Sequence, residues 1–139
     1  MTTIIGLDPG VHTGVATFRN GNLIQLATIS PHRIEEAIAG ASRVIFEDSR
    51  LTSFMFTSVK ARAAALKIAR NVGEIDAWCR LITSLCEAAG IPAHGISPQW
   101  KGAKLNAKQF KTLTGWAGKS NAHERDAATV AWPYRRAAK

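Results

Sequence analysis

The sequence is poor in cysteine and has no long apolar run. Its two cysteines, Cys79 and Cys86, lie seven residues apart in a helical pattern, and none of its four histidines pairs with a cysteine at zinc spacing. Two helical turns separate thiols too far for a disulfide, so we expect both as reduced core residues. No stretch approaches the roughly 18 to 20 apolar residues that span a bilayer, and no signal-peptide pattern opens the chain. We therefore expect a soluble, intracellular protein.

Acidic residues are also scarce. Ten Asp and Glu face eighteen Lys and Arg, which gives a net charge of +8 and a pI near 10.1. Such a balance favours polyanions, of which nucleic acid is the commonest inside cells. Residues 100–139 hold nine of the basic residues and two acids, and a second basic run is formed by Lys60, Arg62, Lys67 and Arg70. A solubilising surface is the alternative interpretation of this charge.

An apolar stretch, residues 4–7, leads directly into Asp8. Its β-branched residues favour a buried strand, and Pro9-Gly10 then predicts a turn, with residues 14–18 returning as a second strand. An unpaired carboxylate inside a sheet is costly, so we expect Asp8 to meet a cation. The alternative is an Asp that only caps the turn.

A second apolar stretch, residues 43–46, ends in Glu47 and Asp48. Side chains of a strand alternate between its faces, so these two acids point in opposite directions. A helix before this strand predicts a crossover that makes it parallel to the first strand. Glu47 would then lie beside Asp8, unless the two acids merely close a strand at the surface.

The last helix is predicted to begin at Ala122. His123 and Asp126 are three residues apart, hence about 60° apart around the helix, and face the same way. Glu124 is rotated away by about 160° and lies three residues after Asn121, the spacing of a capping box. His123 could alternatively be a residue that merely begins a helix.

The remaining pattern predicts one α/β domain. Residues 23–29 follow a predicted turn at Gly21-Asn22 and complete a three-strand antiparallel meander. A helical pattern covers about 59–89, where Gly73 either breaks the helix or allows a close helix crossing, and residues 91–96 form a fifth strand. We expect a five-stranded mixed sheet, the meander plus two parallel strands, flanked by helices.

Three separated motifs together resemble RuvC-like Holliday junction resolvases of the phage and bacterial type, within the ribonuclease H-like superfamily. They are Gly6-Leu7-Asp8-Pro9-Gly10 with Thr13-Gly14, the strand ending in Glu47, and His123 with Asp126 before an alanine-rich stretch. Pro98-Gln99-Trp100-Lys101 is also similar to a segment of phage-type members. Actin-like ATPases open with a similar strand, but they need two domains, and 139 residues make one. The resemblance implies a ribonuclease H-like fold and a single RuvC-like nuclease domain over residues 1–139.

The resemblance also implies an activity. It is that of a divalent-metal-dependent endodeoxyribonuclease that resolves Holliday junctions and other branched DNA by paired nicks. Two Mg²⁺ ions per site, or Mn²⁺ in their place, would take part in the hydrolysis of the phosphodiester. The enzyme would act in the cytoplasm of a bacterium or of a phage-infected host. The implied catalytic and metal-binding residues are Asp8, Glu47, His123 and Asp126. Members of the family carry either Asp or His at the position of His123. In these proteins the long helix also builds the dimer, so the resemblance implies a homodimer.

Candidate nucleic-acid contacts lie on basic and aromatic residues near these motifs. Aromatic side chains can stack on bases, and lysines spaced by three and four residues can form a ridge that grips phosphates. The candidates are Phe54, Phe56, Lys60, Lys67, Lys101, Lys104, Lys108 and Lys111. Two other functions stay open from the residues: a ribonuclease H-like nuclease acting on RNA–DNA hybrids or flaps, and a non-catalytic nucleic-acid-binding protein.

Overall fold

The computed structural model describes residues 2–51, 62–100 and 102–136. Its strands are β1 (Thr3–Asp8), β2 (Thr13–Arg19), β3 (Asn22–Ile29), β4 (Arg43–Glu47) and β5 (Ala93–Ile96). Its α-helices are α1 (Ile34–Ile38), α2 (Arg62–Ala89), α3 (Ala107–Thr114) and α4 (Ala122–Ala131). The sheet order is β3-β2-β1-β4-β5, with β1 to β3 antiparallel and β4 and β5 parallel to β1. The predicted meander and its two parallel strands are confirmed.

The turn between β2 and β3 is one residue earlier than predicted. Asn20 and Gly21 both have positive φ, 51° and 86°, and Arg19 pairs with Asn22 across the turn. Two central residues with positive φ match the right-handed twist of the strands in a tight hairpin. Asn22 is therefore the first residue of β3.

Helices cover both faces of the sheet because the strand residues alternate. One core joins Leu7 and Phe46 to Ile82 on α2, and both cysteines are buried in it. The other core joins Ile4 and Ile45 to α3 and to the alanines of α4. The strand residues therefore alternate between two apolar layers, with α2 on one side and α4 on the other.

α4 lies very close to β1 and β2. A Cβ at Gly6 would collide with the Ala127 carbonyl oxygen, and a Cβ at Gly14 would collide with that of His123. Glycine at these positions therefore lets the backbone of α4 approach the sheet. This approach brings the first turns of α4 over the end of β1.

α2 is continuous over Arg62–Ala89, and Gly90, with φ of +69°, ends it. Gly73 neither breaks the helix nor permits a close crossing within the described residues, because a Cβ there would meet nothing within 4 Å. The helix is amphipathic and packs one side on the sheet. No helix of the described ranges is long and apolar enough to cross a membrane.

Candidate active site

Two of the three predicted carboxylates end neighbouring strands, and the third lies on the helix that packs over these strands. Asp8 ends β1 and Glu47 ends β4, and these strands are parallel, with Leu7 paired to Phe46. Strand alternation puts Glu47 on the face of Ile45, which is the α4 side. Asp126 lies on α4 and is buried there.

His123 lies next to Asp8. Its Nδ1 lies 3.7 Å from Asp8 Oδ2, and its ring centroid lies 5.8 Å from that of His12. A distance of 3.7 Å exceeds an ordinary hydrogen bond but allows an ion pair when the imidazole is protonated. The His123 side chain is 48% exposed, so it contacts both the candidate site and solvent.

Lys104 supplies a cation to Asp126. The Lys104 Nζ donates to Asp126 Oδ2 at 3.1 Å, and the side chains are 76% and 10% exposed respectively. A mostly buried carboxylate needs such a partner to offset lost hydration. Lys104 precedes α3, whereas Lys108 and Lys111 lie on it. The three lysines therefore do not form the single helical ridge expected from their spacing.

Glu124 has the structural role predicted from its position. Its backbone N–H donates to Asn121 Oδ1 at 2.9 Å, and its Oε1 accepts from the Asn121 N–H at 3.0 Å. Thr28 of β3 also contacts both side chains, at 2.7 Å from Asn121 Nδ2 and 3.4 Å from Glu124 Oε2. The capping box fixes the start of α4 and thereby the rotation that directs His123 and Asp126.

Asp48 faces the opposite side of the sheet from Glu47. Its two oxygens accept from Nε and Nη2 of Arg50 at 2.8 Å each, and Arg50 also donates to Thr83 of α2. Burial opposes ionisation of Asp48, but the hydrogen bonds and charge of Arg50 outweigh it and hold the pKa of this carboxyl below its usual value. Asp48 therefore ties the end of β4 to α2.

A small polar network supports the backbone of Glu47. Cys79 Sγ lies 3.6 Å from the Glu47 carbonyl oxygen and 3.8 Å from Ser49 Oγ. Ser49 Oγ in turn donates to Asp76 Oδ1 at 2.5 Å. The sequence did not predict this network. Its one local sign was the spacing of Asp76 and Cys79, which are three residues apart and so lie on the same side of α2.

The donor chemistry of the edge suits a hard divalent cation. Asp8, Glu47 and Asp126 offer carboxylate oxygens, the ligands that Mg²⁺ prefers. In the part of the chain that the structure describes, however, no group of three or more His, Cys, Asp or Glu side chains is arranged to hold a metal ion. Lys104 on Asp126 and His123 near Asp8 are among the groups next to these oxygens.

The other candidate contacts are spread over the surface. Lys67 is exposed on α2, and Lys108 and Lys111 are exposed on α3. The remaining candidates, Phe54, Phe56, Lys60 and Lys101, lie outside the described residues. The candidate lysines that are described therefore lie on helices from both faces of the sheet.

No family model matches the chain, and no curated protein matches it. Among solved structures, the chain is similar to T. thermophilus RuvC in complex with Holliday junction substrate. The two are 18% identical, the similarity covers 99% of this chain and 95% of that chain, and the TM-score is 0.67. With its mixed sheet in the order β3-β2-β1-β4-β5, the chain has the ribonuclease H-like fold.

Proposed function

We propose that the protein is a structure-selective, metal-dependent DNA endonuclease that resolves Holliday junctions and other branched DNA. One observation carries the proposal: Asp8 and Glu47 end neighbouring parallel strands, and Asp126 lies on α4, which packs over these strands. The fold similarity to a RuvC structure that holds a Holliday junction supports this substrate class. Such an enzyme would act in the cytoplasm of a bacterium or a phage-infected host.

Hydrolysis of a phosphodiester needs an activated water and a stabilised leaving oxygen. A pair of Mg²⁺ or Mn²⁺ ions supplies both when bound. Asp8, Glu47 and Asp126 would hold the ions through carboxylate oxygens, the ligands that these ions prefer. Strand β1 is central in the sheet and pairs with β4, so Asp8 lies beside Glu47, and Asp126 would complete the set from α4.

His123 and Lys104 have complementary positioning roles in this proposal. The His123 imidazole, 3.7 Å from Asp8, orients that carboxylate, and its half-exposed ring can hold a proton near the attacking water. Lys104 neutralises Asp126 at 3.1 Å, which lowers the repulsion among the clustered acids. Its largely exposed side chain can turn from Asp126 toward a DNA phosphate.

The decisive experiment is cleavage of a substrate panel. Labelled four-way junction, flap, plain duplex and RNA–DNA hybrid are each incubated with the protein in Mg²⁺, in Mn²⁺ and in a chelator. We expect metal-dependent cleavage with the four-way junction cut fastest. Faster cutting of the hybrid or the flap would assign the other ribonuclease H-like activity. Binding without cleavage in either metal would overturn the nuclease proposal.

A further inference from the structure

An aromatic groove lies at the end of β5. It has a volume of about 440 Å³. Its wall residues are Leu51, Gly95, Ile96, Ser97, Gln99, Trp100 and Tyr134. The Trp100 side chain is 82% exposed and Tyr134 is 37% exposed. The groove therefore presents two aromatic rings to solvent.

The groove adjoins the carboxylate edge. Ile96 in its wall is the register partner of Glu47, and the Asp48 N–H donates to the Ile96 carbonyl oxygen at 2.9 Å. Parallel strands end at the same edge of a sheet, so the ends of β4 and β5 lie side by side. A strand of DNA bound at Glu47 thus has the groove as its next neighbour on the β5 side.

The backbone of Trp100 is fixed by hydrogen bonds, although its side chain is exposed. The turn Pro98–Trp100 is closed by the Trp100 N–H donating to the Ser97 carbonyl oxygen at 2.9 Å. The Gln99 N–H also donates to Ser97 Oγ at 3.3 Å, and Ser97 itself is buried. The backbone that carries the indole is therefore preorganised, which lowers the entropy cost of binding a ligand against it.

The packing of other tryptophans shows how unusual this exposure is. Trp132 packs on Phe18, with ring centroids 6.0 Å apart, and carries the Arg135 guanidinium at 3.7 Å from its ring centroid. Trp116 donates its Nε1–H to the Lys119 carbonyl oxygen at 3.1 Å. These two half-buried rings each pair with a neighbouring group, whereas the indole of Trp100 is mostly exposed at the wall of a groove, where a ligand can reach it.

We propose that this groove binds one unpaired nucleotide of a nucleic-acid strand, with its base stacked on Trp100. The described residues of the wall include no carboxylate, and the chain carries +8, so a phosphate next to the base is not repelled. The groove falls in the ~300–1,000 Å³ range of small-ligand sites. Aromatic faces accept every base, while Gln99 supplies a polar side chain in the wall. The inference deepens the proposed function and rests on it for the course of the strand past Glu47.

The test uses the Asp8→Asn protein, so that nucleic acid is bound without being cut. A four-way junction carries 2-aminopurine as an unpaired base next to the branch point, and its fluorescence is followed during titration. We expect quenching on binding. Trp100→Ala should abolish the quenching and weaken binding about tenfold, or about 1.4 kcal/mol, which is within the range of base–aromatic stacking. Trp100→Phe should restore most of both, and Ile24→Ala, an exposed apolar change on the opposite edge strand β3, should alter neither.

Each contrary result has a distinct meaning. Unchanged quenching and affinity in Trp100→Ala would overturn this inference alone, and cleavage by the wild-type protein would leave the proposed nuclease function standing. If Trp100→Ala instead changes the oligomeric state while nucleotide binding is intact, the groove serves a protein partner and the inference is wrong. Absence of any binding to the junction would overturn the inference and the proposed substrate together.

Discussion

Asp8 is the residue on which the proposed chemistry depends most directly. Replacing it with Asn keeps the shape of the side chain and removes its charge. The variant should therefore lose metal binding and keep its fold. We expect Asp8→Asn to reduce junction cleavage by at least about 10³-fold, or about 4 kcal/mol in the barrier, with junction affinity unchanged. Single-turnover cleavage and a binding titration measure the two effects. Near wild-type cleavage by this variant would remove Asp8 from the site.

His123 and Glu124 are adjacent, but their surroundings predict opposite phenotypes. His123 lies 3.7 Å from Asp8, so His123→Ala should slow cleavage by at least about 10²-fold, the usual scale of a proton-transfer group, with little effect on unfolding. Glu124 belongs to the capping box of α4, so Glu124→Ala should lower the free energy of unfolding by about 1 kcal/mol.

Cleavage rates and urea unfolding of the two variants, compared with wild type, separate these effects. Cleavage by Glu124→Ala should stay near the wild-type rate once the protein is folded. The opposite pattern, with Glu124→Ala inactive and His123→Ala active, would mean that the rotation of α4 assigned from its cap is wrong.

Asp48 predicts how stability depends on pH. Its pKa is lowered in the folded protein, so its contribution is fully present above the unfolded pKa near 3.9 and is lost as pH falls below that value. Asp48→Asn should lower the free energy of unfolding by about 2 kcal/mol at pH 7, because Arg50 loses a charged hydrogen-bond partner. The difference from wild type should shrink below about pH 4. Denaturant unfolding between pH 3 and 7 checks this, and a constant difference across that range would contradict it.

Helix α3 carries a prediction at the scale of the element. Lys108 and Lys111 lie on it and are exposed, whereas Lys104 precedes it and contacts Asp126. If the two helical lysines bind phosphates, changing both to Ala should reduce the slope of log affinity against log salt by about 1.8. Junction binding measured from low to moderate salt gives this slope.

Lys119→Ala is the control, since it removes one positive charge from the same basic region but from a loop after α3. It should leave the slope nearly unchanged. An unaltered slope in the Lys108/Lys111 variant would mean that α3 is a solvated surface. Lys104→Ala should instead affect cleavage more than binding, because it leaves Asp126 without this cation.

Most strands and helices could be predicted from the sequence because the interactions that determine them are local. The apolar stretch before Asp8, the alternation that separates Glu47 from Asp48, and the Asn121 capping box each act within a few residues of sequence. The contact of Lys104 with Asp126 was not readable, since 22 residues separate them. The Ser49–Asp76 bond likewise spans 27 residues. Such pairings depend on how the helices pack on the sheet rather than on local spacing.

At the scale of the whole molecule, the proposed substrate has a symmetry that one site does not match. Resolving a four-way junction takes two symmetric nicks, and a two-fold dimer presents two equivalent sites. α2 offers a surface for this contact, because Leu66 is 61% exposed on it and Leu81 is 38% exposed. We expect two copies of the chain on each junction and paired nicks on opposing strands.

Leu66→Glu tests this assembly with little risk to the fold, since the side chain is mostly exposed. A charge placed within an apolar contact should shift the protein to monomers, because the charge would be buried on association. The variant should still bind DNA and nick single strands, but the fraction of junctions cut on both opposing strands should fall at least about fivefold. Mass photometry of the complex and strand-resolved mapping of the nicks measure the two outcomes.

Leu113→Glu adds the same charge at an exposed leucine of α3 and should leave stoichiometry and paired nicking intact. If wild-type protein binds a junction as a monomer, or if Leu66→Glu stays dimeric with paired nicks, the two copies do not meet through α2.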